Sequence, residues 1–115
     1  MSDDCLFCRI LAGEVPSTEV LSTEDTYAFR DINPTAPTHV LVIPRQHIDN
    51  AHAVTADDAD IVVRLITTAQ EVARSEGIDQ SGYRLVFNVG DDALNSVPHL
   101  HLHVVGGRKL GWPPG

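Results

Sequence analysis

The spacing of apolar residues changes period several times along the chain, and each change marks an element. From Asp4 to Ala12 the apolar positions fall at helical spacing and Gly13 follows, which predicts a short helix with a glycine stop. Thr18 to Ser22 and Thr26 to Asp31 read as strands, with Glu24-Asp25 as the hairpin turn between them. Pro34 and Pro37 break the pattern, and His39-Val40-Leu41-Val42-Ile43 is a β run that stops at Pro44. It is apolar at nearly every position, which predicts a central strand covered on both faces. Thr55-Ala56-Asp57-Asp58 is a capping sequence with acid in the first turn. Beyond it Ile61, Leu65, Ala69 and Val72 recur at helical spacing, flanked by Val62, Ile66 and Ala73. They predict an amphipathic helix from about Ala56 to Ser75 that stops at Gly77. Tyr83 to Asn88 and Pro98 to Val105 read as the last strands.

The order is therefore helix, three strands, long helix, two strands. Consecutive strands with short links predict an α+β plan, a five-stranded antiparallel sheet with one long and one short helix, the helices on one face. The chain has 115 residues, which suits a single domain over 1–115. Lysine and arginine number 8 against 16 acids, a formal net charge of -8. That balance argues against nucleic acid or an anionic membrane as partner. It leaves room for an anionic small substrate, because surface charge is screened beyond about 8 Å at physiological salt. Met1-Ser2-Asp3-Asp4 is acidic and opens no apolar signal core, and no run reaches the roughly 20 apolar residues of a membrane span. The expectation is a cytoplasmic protein.

Half of the six histidines lie in His99-Leu100-His101-Leu102-His103, which runs on into Val104-Val105-Gly106-Gly107. On a strand, side chains two apart share a face. The imidazoles should form a row, with Leu100, Leu102 and Val104 packing on the other side. Imidazole is the side chain whose unperturbed pKa lies near neutrality, so such a row can combine nucleophile, proton donor and anion binder. Histidines at i and i+2 are also a common zinc pair. The only cysteines, Cys5 and Cys8, have knuckle spacing, which in a cytosolic chain points to metal or redox chemistry before a structural disulfide. Zinc would need two further ligands, for which His47 and His99 are candidates.

The run from His99 to Val105 resembles the histidine-triad signature of alternating histidines and apolar residues. Asp31-Ile32-Asn33-Pro34-Thr35-Ala36-Pro37-Thr38-His39-Val40-Leu41-Val42-Ile43-Pro44 is similar to the family's second segment. Asn88-Val89-Gly90, followed by Ser96-Val97-Pro98-His99, is similar to the third. The closing Gly106-Gly107-Arg108 and Trp112-Pro113-Pro114-Gly115 resemble the tail of the nucleoside-phosphoramidase branch. The resemblance implies a HIT-like fold, a homodimer, and hydrolysis of the P–N bond of purine nucleoside 5′-phosphoramidates, AMP-amine or AMP-lysine, by double displacement. It makes His101 the nucleophile and His103 and His39 its flanking partners, and it places Ser96 on the leaving amine. Asp31 would bind the ribose hydroxyls and Ile32 the base. Leu6, Phe7, Ile10 and Leu41 would wall the base slot, and Asn88, Ser96, Val97 and nearby amides would meet the phosphate. An apolar slot reads a purine edge poorly, so adenine over guanine should be a mild preference. The resemblance to bacterial members further implies that Cys5, Cys8, His47 and His99 hold a structural zinc.

Other readings of the same residues stay open. Asp31 can be a plain turn-capping residue, and Leu6, Phe7, Ile10 and Leu41 plain core. His99, His101 and His103 could together bind a catalytic metal. The chain could be a dinucleoside polyphosphate hydrolase, a nucleotide-binding module without turnover, or a Cys5/Cys8 redox protein. His52 reads as a solvated loop residue. Trp112 is either a frayed end or a residue that shapes leaving-group preference in a partner subunit.

Overall fold

A computed structural model describes residues 4–115. The acidic stretch at residues 1–3 lies outside the described residues. Five strands, β1 (Glu19–Ser22), β2 (Thr26–Arg30), β3 (Thr38–Pro44), β4 (Tyr83–Val86) and β5 (Leu102–Gly106), form one sheet in the order β1-β2-β3-β5-β4. Every pairing is antiparallel. A short helix α1 (Leu6–Leu11) precedes the sheet, and the long helix α2 (Ala59–Ser75) joins β3 to β4.

The expected plan holds in its strands and corrects in its layering. The helices lie on opposite faces of the sheet. Ala28, Val40, Val42, Leu102 and Val104 pack with Leu65, Ala69, Val72 and Ala73 of α2. The alternate residues Phe29, Leu41 and Ile43 pack with Cys5 and Phe7 at α1. Period-two alternation explains both sets, since neighbours on a strand point to opposite faces. All seven residues of β3 are buried, as its unbroken apolar run predicts for a strand covered twice.

Cap chemistry fixes where the long helix begins. Asp58 Oδ2 accepts the Thr55 backbone N–H at 2.9 Å, and Thr55 Oγ1 accepts the Asp57 amide at 3.3 Å. This box opens a tight 3₁₀ turn over Ala56–Asp58, and α-helix proper starts three residues later than the pattern indicates. Gly77 then stops it at φ +73°. No helix among the described residues is long and apolar enough to cross a membrane.

The last two predicted strands also shorten. β4 ends at Val86, and β5 begins only at Leu102. His99, Leu100 and His101 therefore precede the paired strand. Their alternation survives, because the Leu100 amide bonds to the Ile48 carbonyl at 2.6 Å and Leu100 sits in the α2-side core with Leu102 and Val104.

Candidate active site and metal centre

The histidines face α1, opposite the buried leucines. Their rings run in the order His39, His103, His101, with centroids 5.2 Å and then 5.1 Å apart. His39 comes from β3 and reaches the row through His103, so it neighbours the middle histidine indirectly.

Hydrogen bonds fix which nitrogen carries the proton on each neutral ring. A carbonyl can only accept, and His101 Nδ1 lies 2.7 Å from the His99 carbonyl. His101 is therefore protonated on Nδ1, and Nε2 keeps its lone pair. An amide N–H can only donate, and that of Thr35 points at His39 Nδ1 at 3.1 Å. His39 thus carries its proton on Nε2 and donates it to His103 Nδ1 at 2.9 Å. His103 in turn must carry its proton on Nε2. Asn88 Nδ2 lies 3.4 Å from that nitrogen, and a flip of the side-chain amide, which exchanges N and O without moving the residue, would set Oδ1 there as the acceptor. One imidazole then offers a lone pair and its neighbour an N–H.

Burial favours the neutral form of His101 and His103. Desolvation lowers the His101 pKa below the ordinary histidine value. Desolvation, then the neighbouring His101 and His39, lower His103 to about 4. These rings interact, so they titrate as a set.

Beside the row lies a cavity of about 350 Å³. Every residue that the family resemblance assigns to nucleotide binding lines it. Asp31, Ile32, Asn88 and Ser96 stand there with His101 and His103. Leu6, Phe7, Ile10, Leu41 and Val97 supply apolar wall. Ile32 is 92% exposed, an apolar side chain left at the rim with nothing upon it. Asp31 caps its turn and also lines the cavity. Its Oδ1 accepts the Asn33 amide at 2.8 Å and caps the turn, while Oδ2 lies 3.4 Å from His39 Nε2. Phe7 sets its ring against His101 at 5.1 Å and 87°, so α1 braces that imidazole as well as the wall.

Phe29, Val15, Pro16, Ser17 and Leu94 also line the cavity and were not anticipated. Phe29 had a usable signal, since it sits two residues before Asp31 on the same strand face. The segment 15–17 had none, because only the folding of α1 against the sheet brings it near. Leu94 ends a 3₁₀ turn (Asp91–Ala93) at φ +61°, a conformation few bulky residues take, and is 85% exposed.

A second cluster lies below the row. Cys5, Cys8, His47 and His99 bring four ligand atoms within 4.8 Å of one another. His99 is fully buried and lies with Nε2 2.9 Å from the Pro44 carbonyl. That bond puts its proton on Nε2 and aims the Nδ1 lone pair at Cys5 Sγ, 3.3 Å away, and Cys8 Sγ, 3.5 Å away. His47 repeats the arrangement, with Nε2 2.8 Å from Asp49 Oδ1 and Nδ1 3.3 Å from Cys8 Sγ. Metal-bound histidines use a second-shell acceptor in this way to fix the ligating nitrogen. Two thiols and two oriented imidazoles are a donor set that fits a tetrahedral ion and leaves no ligand position open. Burial, then the neighbouring Cys5, push the Cys8 thiol up to about 11, a cost that a bound cation would reverse. His99 is thereby committed to the cysteines, and among the described residues His101 belongs to no metal-capable group. A metal held jointly by His99, His101 and His103 does not fit this geometry.

A sheet of this topology, with a histidine row at the mouth of an apolar cavity, is an architecture found in known proteins. The HIT domain model matches residues 12–110, and the chain belongs to the HIT domain family. It is 43% identical to an uncharacterized HIT-like protein of Synechococcus elongatus over 115 residues, all of both chains. It is 42% identical to a 14 kDa zinc-binding protein of Brassica juncea, over 97% of this chain and 100% of that one. The crystal structure of a HIT family hydrolase from Legionella pneumophila superposes with a TM-score of 0.95 at 46% identity, covering 97% of this chain and 100% of the other. A HIT family hydrolase from Clostridium thermocellum gives 0.93 at 41% identity, with 96% of each chain covered.

Proposed function

We propose that the protein hydrolyses purine nucleoside 5′-phosphoramidates through a nucleotidyl intermediate on His101. The observation that carries this reading is the 2.7 Å bond from His101 Nδ1–H to the His99 carbonyl. It leaves Nε2 as the nucleophilic nitrogen of a neutral ring that lines the cavity. Attack on the α-phosphorus forms a P–Nε2 bond and breaks the bond to the amine, which leaves with a proton from solvent. The ring becomes a cationic phosphorylated imidazolium, and its Nδ1–H bond becomes charge-assisted. Such bonds contribute about 1.5–3 kcal/mol against about 0.5–1.5 kcal/mol for neutral ones, so the His99 carbonyl stabilises the intermediate more than the resting ring. Water then attacks the phosphorus, the P–Nε2 bond breaks, the proton the water loses returns to solvent, and the nucleoside monophosphate leaves. The net reaction consumes one water.

His103 Nε2–H, Asn88 and Ser96 are suited to meet the phosphoryl oxygens, with Ser96 also placed for the leaving amine. Asp31 Oδ2 takes a ribose hydroxyl. Ile32 and the apolar wall take the base, with only a mild preference for adenine over guanine. The name of the mustard relative supports zinc as the ion at Cys5, Cys8, His47 and His99. Bound there, zinc would brace α1 and the His99 segment and supply no open site for water. The exposed apolar Val63 of α2 and Leu85 of the edge strand β4 support a homodimer.

A panel of AMP-amines, AMP-lysine and dinucleoside polyphosphates tests the reading. Phosphoramidates should turn over fastest, and His101→Ala should lower the rate by at least about 10³-fold. A denaturing quench at alkaline pH, where the P–N bond to imidazole survives, should trap label on His101. Full activity in His101→Ala, or binding of AMP with no turnover by wild type, would overturn it.

A further inference from the structure

The loop from Asp31 to Pro37 hangs between β2 and β3 and carries two prolines. The exit of β5 is pressed against it. Gly107 has φ +93°, and a Cβ there would meet Pro37 Cβ at 2.9 Å, so only glycine permits this approach. The next residue, Arg108, makes no ion pair among the described residues. Instead its guanidinium donates to main-chain carbonyls, through Nη2 to Thr35 at 2.8 Å and through Nη1 to Lys109 at 3.1 Å. An exposed arginine spent on a loop carbonyl points to a positional task.

Thr35 is also the residue whose amide donates to His39 Nδ1 at 3.1 Å. Four groups thus stand in series, Arg108, Thr35, His39 and His103. We propose that Arg108 is a positioning residue that, by pinning Thr35, fixes the protons of His39 and His103 on Nε2 and so keeps an N–H aimed at the cavity. Without the pin, the Thr35 amide can leave His39 Nδ1; only the longer contact to Asp31 Oδ2 at 3.4 Å then favours Nε2–H, and the other tautomer gains population. His39 Nε2 then becomes an acceptor, and His103 must turn its proton inward to Nδ1. The nitrogen that faces Asn88 would present a lone pair, which repels a phosphoryl oxygen. The proton placement stands on these bonds alone, whereas its catalytic consequence rests on the proposed function.

Imidazole ¹⁵N spectra at neutral pH separate the two tautomers without any substrate. Wild type should show His39 and His103 protonated on Nε2. Arg108→Ala should move both toward a mixture of tautomers. Arg84→Ala is the control, because Arg84 Nη2 holds the nearby Gly111 carbonyl at 2.8 Å and has no link to Thr35. It should leave the spectrum unchanged. On an AMP-amine, Arg108→Ala should lower kcat about tenfold with KM within about twofold, a fraction of the 10²–10³ lost with a whole oxyanion donor. Wild-type tautomers in Arg108→Ala would overturn the proposal, as would an equal shift in Arg84→Ala. A wild type that turns over no phosphoramidate would sink the proposed function, and the spectra would still decide the role of Arg108.

Discussion

Replacing Asp31 by Asn tests the ribose contact with its magnitude in hand. Oδ1 already accepts the Asn33 amide at 2.8 Å, so only Oδ2 is free to take a hydroxyl. Asparagine keeps Oδ1 and the turn, and substitutes an amide NH₂ for the charged acceptor. A hydrogen bond to a charged group contributes about 1.5–3 kcal/mol. The Asp31 side chain is 20% exposed, and water screening places it toward the lower end, about 1.5–2 kcal/mol. That is roughly ten- to thirtyfold in kcat/KM. The variant also disturbs the contact with His39, so the raw loss mixes effects. Comparing ribo and 2′-deoxy substrates in both proteins isolates the pair as a double-mutant cycle. Wild type should favour the ribo substrate by about that factor, and Asp31→Asn should bring the ratio near one. An unchanged ratio in the variant would show that Asp31 only caps its turn.

Other outcomes are equally specific. Chelation should lower Tm by about 10 °C, because an ion that binds only the folded state contributes about 2.7 kcal/mol at a hundredfold excess over Kd. Phosphoramidate hydrolysis should persist while the stripped protein stays folded; abolition in folded protein would point to a metal in the chemistry. Burial, aided by His101 and His39, holds His103 near 4 in the folded state against about 6.5 unfolded. The unfolded chain therefore binds more protons in that window, and stability should fall as pH drops from about 6.5 to 4. His103→Gln should flatten that part of the Tm-against-pH curve, and an identical slope would refute the assignment. Light scattering should give twice the chain mass at micromolar concentration, and Leu85→Asp should shift it to the monomer.

Much of the fold was legible because the local rules agree. The unbroken apolar run His39 to Ile43 has one stable place, the middle of a sheet covered twice. The box at Thr55 and Asp58 and the glycine at position 77 bracket the long helix with side-chain chemistry alone. Layering was harder to read. The apolar residues of α1 show that it buries a face, but not which side of the sheet receives it. That follows from the parity of Phe29, Leu41 and Ile43, which becomes meaningful only once strand register is set. β5 starts later than its alternation indicates because Leu100 satisfies its amide with Ile48 and not with a strand neighbour.

The sequence by itself determined the residue types and their period. It put three imidazoles on one side of an extended segment, two thiols a knuckle apart, and a carboxylate before a proline turn. Folding decided which of them meet. Position 99 is separated from Cys5 by 94 residues and lies 3.3 Å from it in space, so it leaves the histidine row for the cysteine cluster. Folding also decided where each proton sits, because a tautomer is set by the group opposite each ring nitrogen. The carbonyl of His99, the amide of Thr35 and the carbonyl of Pro44 are main-chain groups, common to all residues save the N–H that proline lacks. Only their positions in three dimensions leave one imidazole with a free lone pair, another with an N–H to donate and a third turned toward two thiols.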